Sequence, residues 1–327
     1  MALSLLSIPV ELFIEIVSTA LFEHPRPSDV LSVGKLFLEV GQRILHTHIR
    51  FQTLDQLTLF AEGRTRLACC PRTLTVTLAG GTAGFDVFLH LAGVLRRCRD
   101  VLIGAASRDE PPPPVPLDML SLCLHSHIQN PNLQHIYDAL VMANPKTFVW
   151  NGPDPDHHFS TAVSTRAGSR RTCTVLILIV PTAAFYLFRA IRTWTRIVHI
   201  TITSVSFPSD ELGLHGPLAH DMPLLPVIPT LRTLSLGQAT LLPPGSVAAM
   251  ICLPGQDSLE LVRLVDAYSE SIWGSRIRRR DVERAAIALT KGAPEDIVVK
   301  VRRLVRCEAK TERIMGGDRV EGLQVLE

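Results

Sequence analysis

The sequence lacks the short signatures that mark common enzyme classes. Its 327 residues hold no Gly-x-x-x-x-Gly-Lys-Ser/Thr phosphate loop, no Gly-x-Ser-x-Gly elbow and no His-Glu-x-x-His pair. It also lacks a disulfide framework. Its seven cysteines (69, 70, 98, 123, 173, 252 and 307) are odd in number and irregularly spaced, which predicts reduced thiols in an intracellular protein, cytoplasmic or nuclear. Charge of one sign is missing too: a formal net charge of +2 neither favours nor excludes a polyanionic partner. Met1 to Leu6 has no basic residue ahead of its apolar ones, so a secretory leader is not expected. The uncharged run Thr172 to Phe188 is seventeen residues long and is interrupted by Pro181. A spanning helix wants about twenty apolar residues. The switch from a β-branched half to an Ala- and aromatic-rich half predicts a buried strand followed by a helix, and no membrane span. No region combines low hydrophobicity with high charge, and 46% apolar residues are ample for a core.

What is present begins at Ile8-Pro9-Val10-Glu11-Leu12-Phe13-Ile14-Glu15-Ile16-Val17. Pro9 suits a helix start, where its missing N–H costs nothing. On a wheel Glu11, Glu15 and Ser18 line one narrow polar stripe. Val10, Phe13, Ile14, Val17 and Leu21 fall on one apolar side, and Leu12, Ile16 and Ala20 on another. A surface helix needs one apolar stripe about 100° wide, and a module of about fifty residues has little core to offer a second. The second face is therefore expected to serve another protein.

These residues resemble the F-box, whose opening is Leu-Pro-x-Glu-Leu followed by Ile-Leu after a short gap. The likeness continues at Asp29-Val30-Leu31-Ser32-Val33-Gly34-Lys35-Leu36-Phe37 and at Gln42 to Phe51, which is similar to the exit segment of many fungal members. Ile8 stands in place of the usual Leu, Gly34 in place of Cys, and His24-Pro25-Arg26-Pro27 lengthens the first loop. The resemblance implies a three-helix module over residues 1–51 that docks a Skp-type subunit, and through it a cullin. By position it implies Ile8, Pro9, Leu12, Ile16, Val33 and Phe37 as the docking residues, some of them shared with the module's own core.

Beyond residue 52 the chain alternates short apolar runs with helix-like stretches, punctuated by the Pro-rich loop 107–116 and by Asn151-Gly152-Pro153, His215-Gly216-Pro217 and Pro243-Pro244-Gly245. A relaxed Leu-x-x-Leu-x-Leu frame starts at Pro71, Cys98, Pro145, Cys173, Ile197, Leu231 and Leu259. Val198 to Thr203 alternates as a half-buried strand should, while 132–142, 182–194 and 281–289 have helical spacing. This predicts an α/β domain over 52–327 with a mainly parallel sheet, an irregular, curved leucine-rich-repeat-like solenoid. Such a domain would present an unknown target protein to the ligase. The apolar run Leu117 to Leu124 is expected to be a helix ending at His125 and His127.

Few clusters invite chemistry. Gly80 to Gly84 reads as a turn, Asp154-Pro155-Asp156-His157-His158 as a solvated loop without a complete metal set, and Cys69-Cys70 as a buried pair. No enzyme, cofactor or metal is expected. From Arg276 to Arg313 twelve basic residues face six acidic ones. Arg278, Arg279, Arg280, Arg302 and Arg303 could together grip an anionic partner. A nucleic-acid or anionic-surface binder is thus the alternative to an adaptor, although Trp273 is the lone large aromatic nearby and stacking platforms are missing. A helix face neutralised by local ion pairs is the other reading of the same arginines.

Overall fold

The chain lays down its strands side by side in the order in which it makes them. The computed structural model describes residues 8–63, 67–78, 86–103, 113–124, 132–152, 183–207, 222–270, 272, 274–290, 294–311 and 324–327. One sheet contains β1 (His48–Phe51), β2 (Thr73–Leu78), β3 (Met119–Leu124), β4 (Thr147–Asn151), β5 (His199–Ser206), β6 (Thr233–Thr240), β7 (Leu261–Val265) and β8 (Val305–Ala309), all parallel. A short antiparallel β9 (Gln324–Val325) ends it.

Parallel neighbours require a crossover. Here α4 (Leu54–Glu62) joins β1 to β2, α5 (Val87–Ile103) β2 to β3, α6 (Gln134–Leu140) β3 to β4, and α7 (Ala183–Ile191) β4 to β5. Then α8 (Pro244–Cys252) joins β6 to β7, and α9 (Arg279–Leu289) with α10 (Pro294–Leu304) joins β7 to β8. Each helix packs on the next along the rows α4 to α7 and α8 to α10. Their apolar stripes meet one face of the sheet in a single core holding Leu74, Leu120, Phe148, Ile200, Leu234 and Val262 from successive strands. Alternate residues point the other way and stay half-exposed, so β2, β3 and β7 read buried–half-buried in strict alternation.

A backbone feature ties three strands together. Ser204, Gln238 and Asp266 have φ of 57°, 48° and 49°, a left-handed conformation that costs a non-glycine residue about 1–2 kcal/mol. They occupy one level of the sheet, following the aligned trio Thr203, Gly237 and Val265. Each comes two residues after the last apolar position of its frame: Ile202, Leu236 or Leu264. Ser204 Oγ donates to Gln238 Oε1 at 3.0 Å, and Asp266 is satisfied as described below.

Frames starting at Pro71, Pro145, Ile197, Leu231 and Leu259 fall on β2, β4, β5, β6 and β7 as expected. Two expectations fail. Cys98, Val101 and Ile103 lie in α5, where Leu91, Leu95 and Cys98 recur at helical spacing on its buried side. Leu117 to Leu124 is not a helix: Leu120, Leu122 and Leu124 alternate with Met119, Ser121 and Cys123 on β3, so cross-strand packing overrides leucine's helix preference. The frame at Cys173 and most of the run 172–188 lie outside the described residues. Among the described residues no helix is long and apolar enough to cross a membrane.

Ahead of the sheet come α1 (Val10–Glu23), α2 (Pro27–Ser32) and α3 (Lys35–Thr47). They bury a cluster of their own, Phe13, Val17, Leu21 and Val30, with Phe37, Val40 and Ile44 against it. Phe13 meets Phe37 edge to face at 5.0 Å. Gly41 admits the close packing of α3, because a Cβ there would stand 2.3 Å from a Leu31 methyl.

Candidate docking surfaces

Pro9 occupies the cap position of α1, with Glu11 in the first turn, and the helix closes before Pro25. Its inward stripe is Phe13, Val17 and Leu21, with Phe13 only 3% exposed. Turned about a third of the circumference away, Leu12 (51% exposed) and Ile16 (45%) stand in solvent. With Ile8, Pro9 and Ala20 they line an open groove rimmed by Glu15 and Glu23. Val10, Ile14 and Phe22 are exposed as well. Of the fifteen large apolar side chains exposed among the described residues, nine fall between Val10 and Leu45. That concentration exceeds the scattered single exposures ordinary for a protein surface.

The six residues implied by the F-box resemblance divide accordingly. Ile8, Pro9, Leu12 and Ile16 share the groove. Val33 is 65% exposed in the turn after α2. Phe37 turns inward against Phe13 and serves the module's core.

The five arginines of the basic stretch do not form a free cationic patch. Glu283 accepts from Arg302 Nε at 3.0 Å and lies 3.5 Å from Arg279 Nε. Arg279 also reaches the Glu327 carboxylate at 3.2 Å, and Arg280 donates to the Glu327 carbonyl. Arg278, at the cap of α9, donates its N–H to Asp281. Arg303 is exposed. Most of the stretch is thus a network of local ion pairs, the second of the two readings its sequence allows.

A different set of charges emerges on the helix-free face of the sheet, the one that no helix among the described residues covers. Its middle row, one residue per strand, runs Arg50, Thr75, Ser121, Val149, Thr201, Ser235, Arg263, Arg306. Arg263 is spent on Glu308, donating Nε and Nη2 at 2.9 and 2.5 Å. Arg263, and behind it Lys310 and Arg306, hold the Glu308 carboxyl below its ordinary value of 4.5. Where the strands begin, Asp118 lies 3.0 Å from Lys146 and 3.2 Å from Arg72, and is likewise held low by them. Sequence reasoning missed this row because its members lie 25 or more residues apart and align only through strand register.

The depressed Glu308 value fixes a pH dependence. A carboxyl with a lower value folded than unfolded stabilises fully above its ordinary value, and that stabilisation is lost as pH falls through the folded one. Glu308→Gln should therefore be less stable than the natural chain by about 1 kcal/mol at neutral pH in urea titrations. Well below pH 4.5 the two should converge. A difference that persists unchanged in acid would contradict this.

Cys69 and Cys70, expected as a buried pair, are half-buried free thiols, and Cys69 lies 3.7 Å from Thr47 Oγ1. Burial, and then Cys69, push the Cys70 thiol up, and burial pushes Cys98 and Cys307 to about 12, which leaves protonated, weakly nucleophilic thiols. Among the described residues no group of three or more His, Cys, Asp or Glu could hold a metal ion. Gly80 to Gly84, His125, His127 and the stretch Asp154 to His158 lie outside the described residues. Comparisons with protein-family models, curated proteins and solved structures find no match to this chain.

Proposed function

We propose that the chain is a non-enzymatic adaptor of an SCF-type ubiquitin ligase. Its N-terminal helices dock a Skp-type subunit, and through it a cullin, while residues from 52 onward recruit a protein to be ubiquitinated. The observation that carries this reading is the outer face of α1: Leu12 and Ile16 stand in solvent beside Ile8 and Pro9, on a helix whose other side already fills its own cluster. In the same reading the in-order parallel sheet is a curved, leucine-rich-repeat-like solenoid, each strand–helix unit burying its face against the next. Its helix-free face is the natural place for cargo. Such an adaptor needs no active site, because proximity to the ubiquitin-charged partner supplies the rate. Its setting is the cytoplasm or nucleus. The nucleic-acid alternative draws less support, because Glu283 and Glu327 engage three of its five arginines. The test is retention of a purified Skp-type subunit by the immobilised full chain. Retention is expected, and its absence overturns the adaptor reading.

A further inference from the structure

We propose that the helix-free face of the sheet receives an extended, carboxylate-rich segment of the recruited protein, lying across the strands between Arg50 and Arg306. This rests on the adaptor reading only in assigning the segment to a recruited protein; the surface chemistry stands independently. The middle row of the face is bounded by two guanidinium groups, Arg50 on β1 and Arg306 on β8, both exposed. Neither has an ion-pair partner among the described residues. Between them Thr75, Ser121, Thr201 and Ser235 present hydroxyls that also lack hydrogen-bond partners there, in contrast to Thr73 and Thr233, which bond His48 and His199 at 2.9 and 2.8 Å. Two carboxylates described near this face are already engaged, Glu308 by Arg263 and Asp118 by Lys146 and Arg72. Among the described residues the middle row is therefore largely hydroxyl-lined, with an unpaired arginine at each end.

Seven strand spacings separate the two arginines, about 34 Å along the sheet. An extended peptide covers that in about ten residues. The separation also selects the anion. A phosphate is gripped by several donors converging on one point, whereas Arg50 and Arg306 sit at opposite ends of the row. Carboxylates distributed along a peptide match that spacing, and backbone and side-chain polar groups between them match the hydroxyls. Long-range attraction from the positive face would speed the encounter and weaken with salt.

The experiment is fluorescence anisotropy of the full chain with a labelled peptide of about ten residues, glutamates near both ends and Ser and Ala between. The glutamate peptide is expected to bind in a salt-sensitive manner, and a matched lysine peptide is not. Arg50→Glu and Arg306→Glu should each weaken binding about tenfold, and the double variant about a hundredfold, since distant sites add. Unchanged circular dichroism and urea midpoints establish that these surface variants fold. Equal binding of the lysine peptide overturns the proposal, as does indifference to both substitutions. So does tighter binding, through the same arginines, of a neutral phosphoserine peptide or of oligothymidylate. The Leu12→Asp chain should bind the glutamate peptide as the natural chain does. Loss of peptide binding thus counts against the sheet face alone, and loss of Skp-type capture against the adaptor reading alone.

Discussion

Replacing Asp266 by Asn is expected to destabilise the chain by about 3–5 kcal/mol, read as a lowered urea midpoint, because it strands a buried cation. Asp266 is 2% exposed and sits just past β7 in the left-handed conformation. Its carboxylate lies 3.0 Å from Arg276 Nε and accepts the N–H groups of Lys310 and Thr311, each at 3.1 Å. Arg276, equally buried, donates Nη2 to the Thr311 carbonyl and, at 3.2 Å, to its hydroxyl. Three distant segments are thereby clamped: the exit of β7, the approach to α9 and the exit of β8. Asn fits the pocket and tolerates the backbone, so the loss reports charge rather than shape. Arg276→Met should cost a similar amount by stranding the carboxylate. The double variant should lose clearly less than the sum of the two, the mark of a coupled pair. Singles that cost under about 1 kcal/mol would refute the clamp.

Leu12→Asp is expected to abolish capture of a Skp-type subunit, weakening it at least about a hundredfold, with the fold intact. Burying a leucine is worth about 1.5–3 kcal/mol, and a carboxylate forced into the same apolar contact adds a desolvation cost of at least similar size. Each 1.4 kcal/mol is a factor of ten. Leu12 is half-exposed and outside both buried clusters, so its replacement leaves stability nearly unchanged. Phe13→Ala makes the informative contrast. One residue away and 3% exposed, Phe13 is the centre of the N-terminal cluster, and its loss should cost about 3–5 kcal/mol of that cluster's stability. Capture would then fail through unfolding, visible as lost helical signal, whereas Leu12→Asp should keep that signal.

The helix face and most of the sheet were legible because they depend on local period. The two sides of α1 follow from 100° per residue, and the structure separates Phe13, Val17 and Leu21 from Leu12 and Ile16 along that line. Five apolar frames landed on strands because a parallel strand buried on one side leaves a period-two trace. Where local period misled, packing had the final word: Leu120, Leu122 and Leu124 make a strand of helix-favouring residues, and Cys98 with Val101 sits three apart on a helix. Pro294 opens α10, a helix the sequence reading did not place, with Glu295 and Asp296 in its first turn. Phe37 matched the docking pattern by position yet turned to the core, since sequence position does not say which way a side chain faces.

The remaining features are set by register and were invisible in one dimension. Asp266 and Arg276 are separated from Thr311 by tens of residues, and nothing local links them. The stacked left-handed residues Ser204, Gln238 and Asp266 share no residue type, only a level in the sheet. Arg50 and Arg306 likewise share a level in the sheet while lying far apart in the chain. Conversely, the arginine-rich stretch was prominent in sequence and proved largely internal in its bonding, with Glu283 and Glu327 drawing on Arg279, Arg280 and Arg302. Charge counted along a chain overstates what is left for a partner.

The most direct test is a calorimetric titration of the purified full chain with a purified Skp-type subunit, run beside the Leu12→Asp chain. The account predicts saturable one-to-one binding for the natural chain and no measurable binding for the variant. No binding by the natural chain, or equal binding by both, would contradict it.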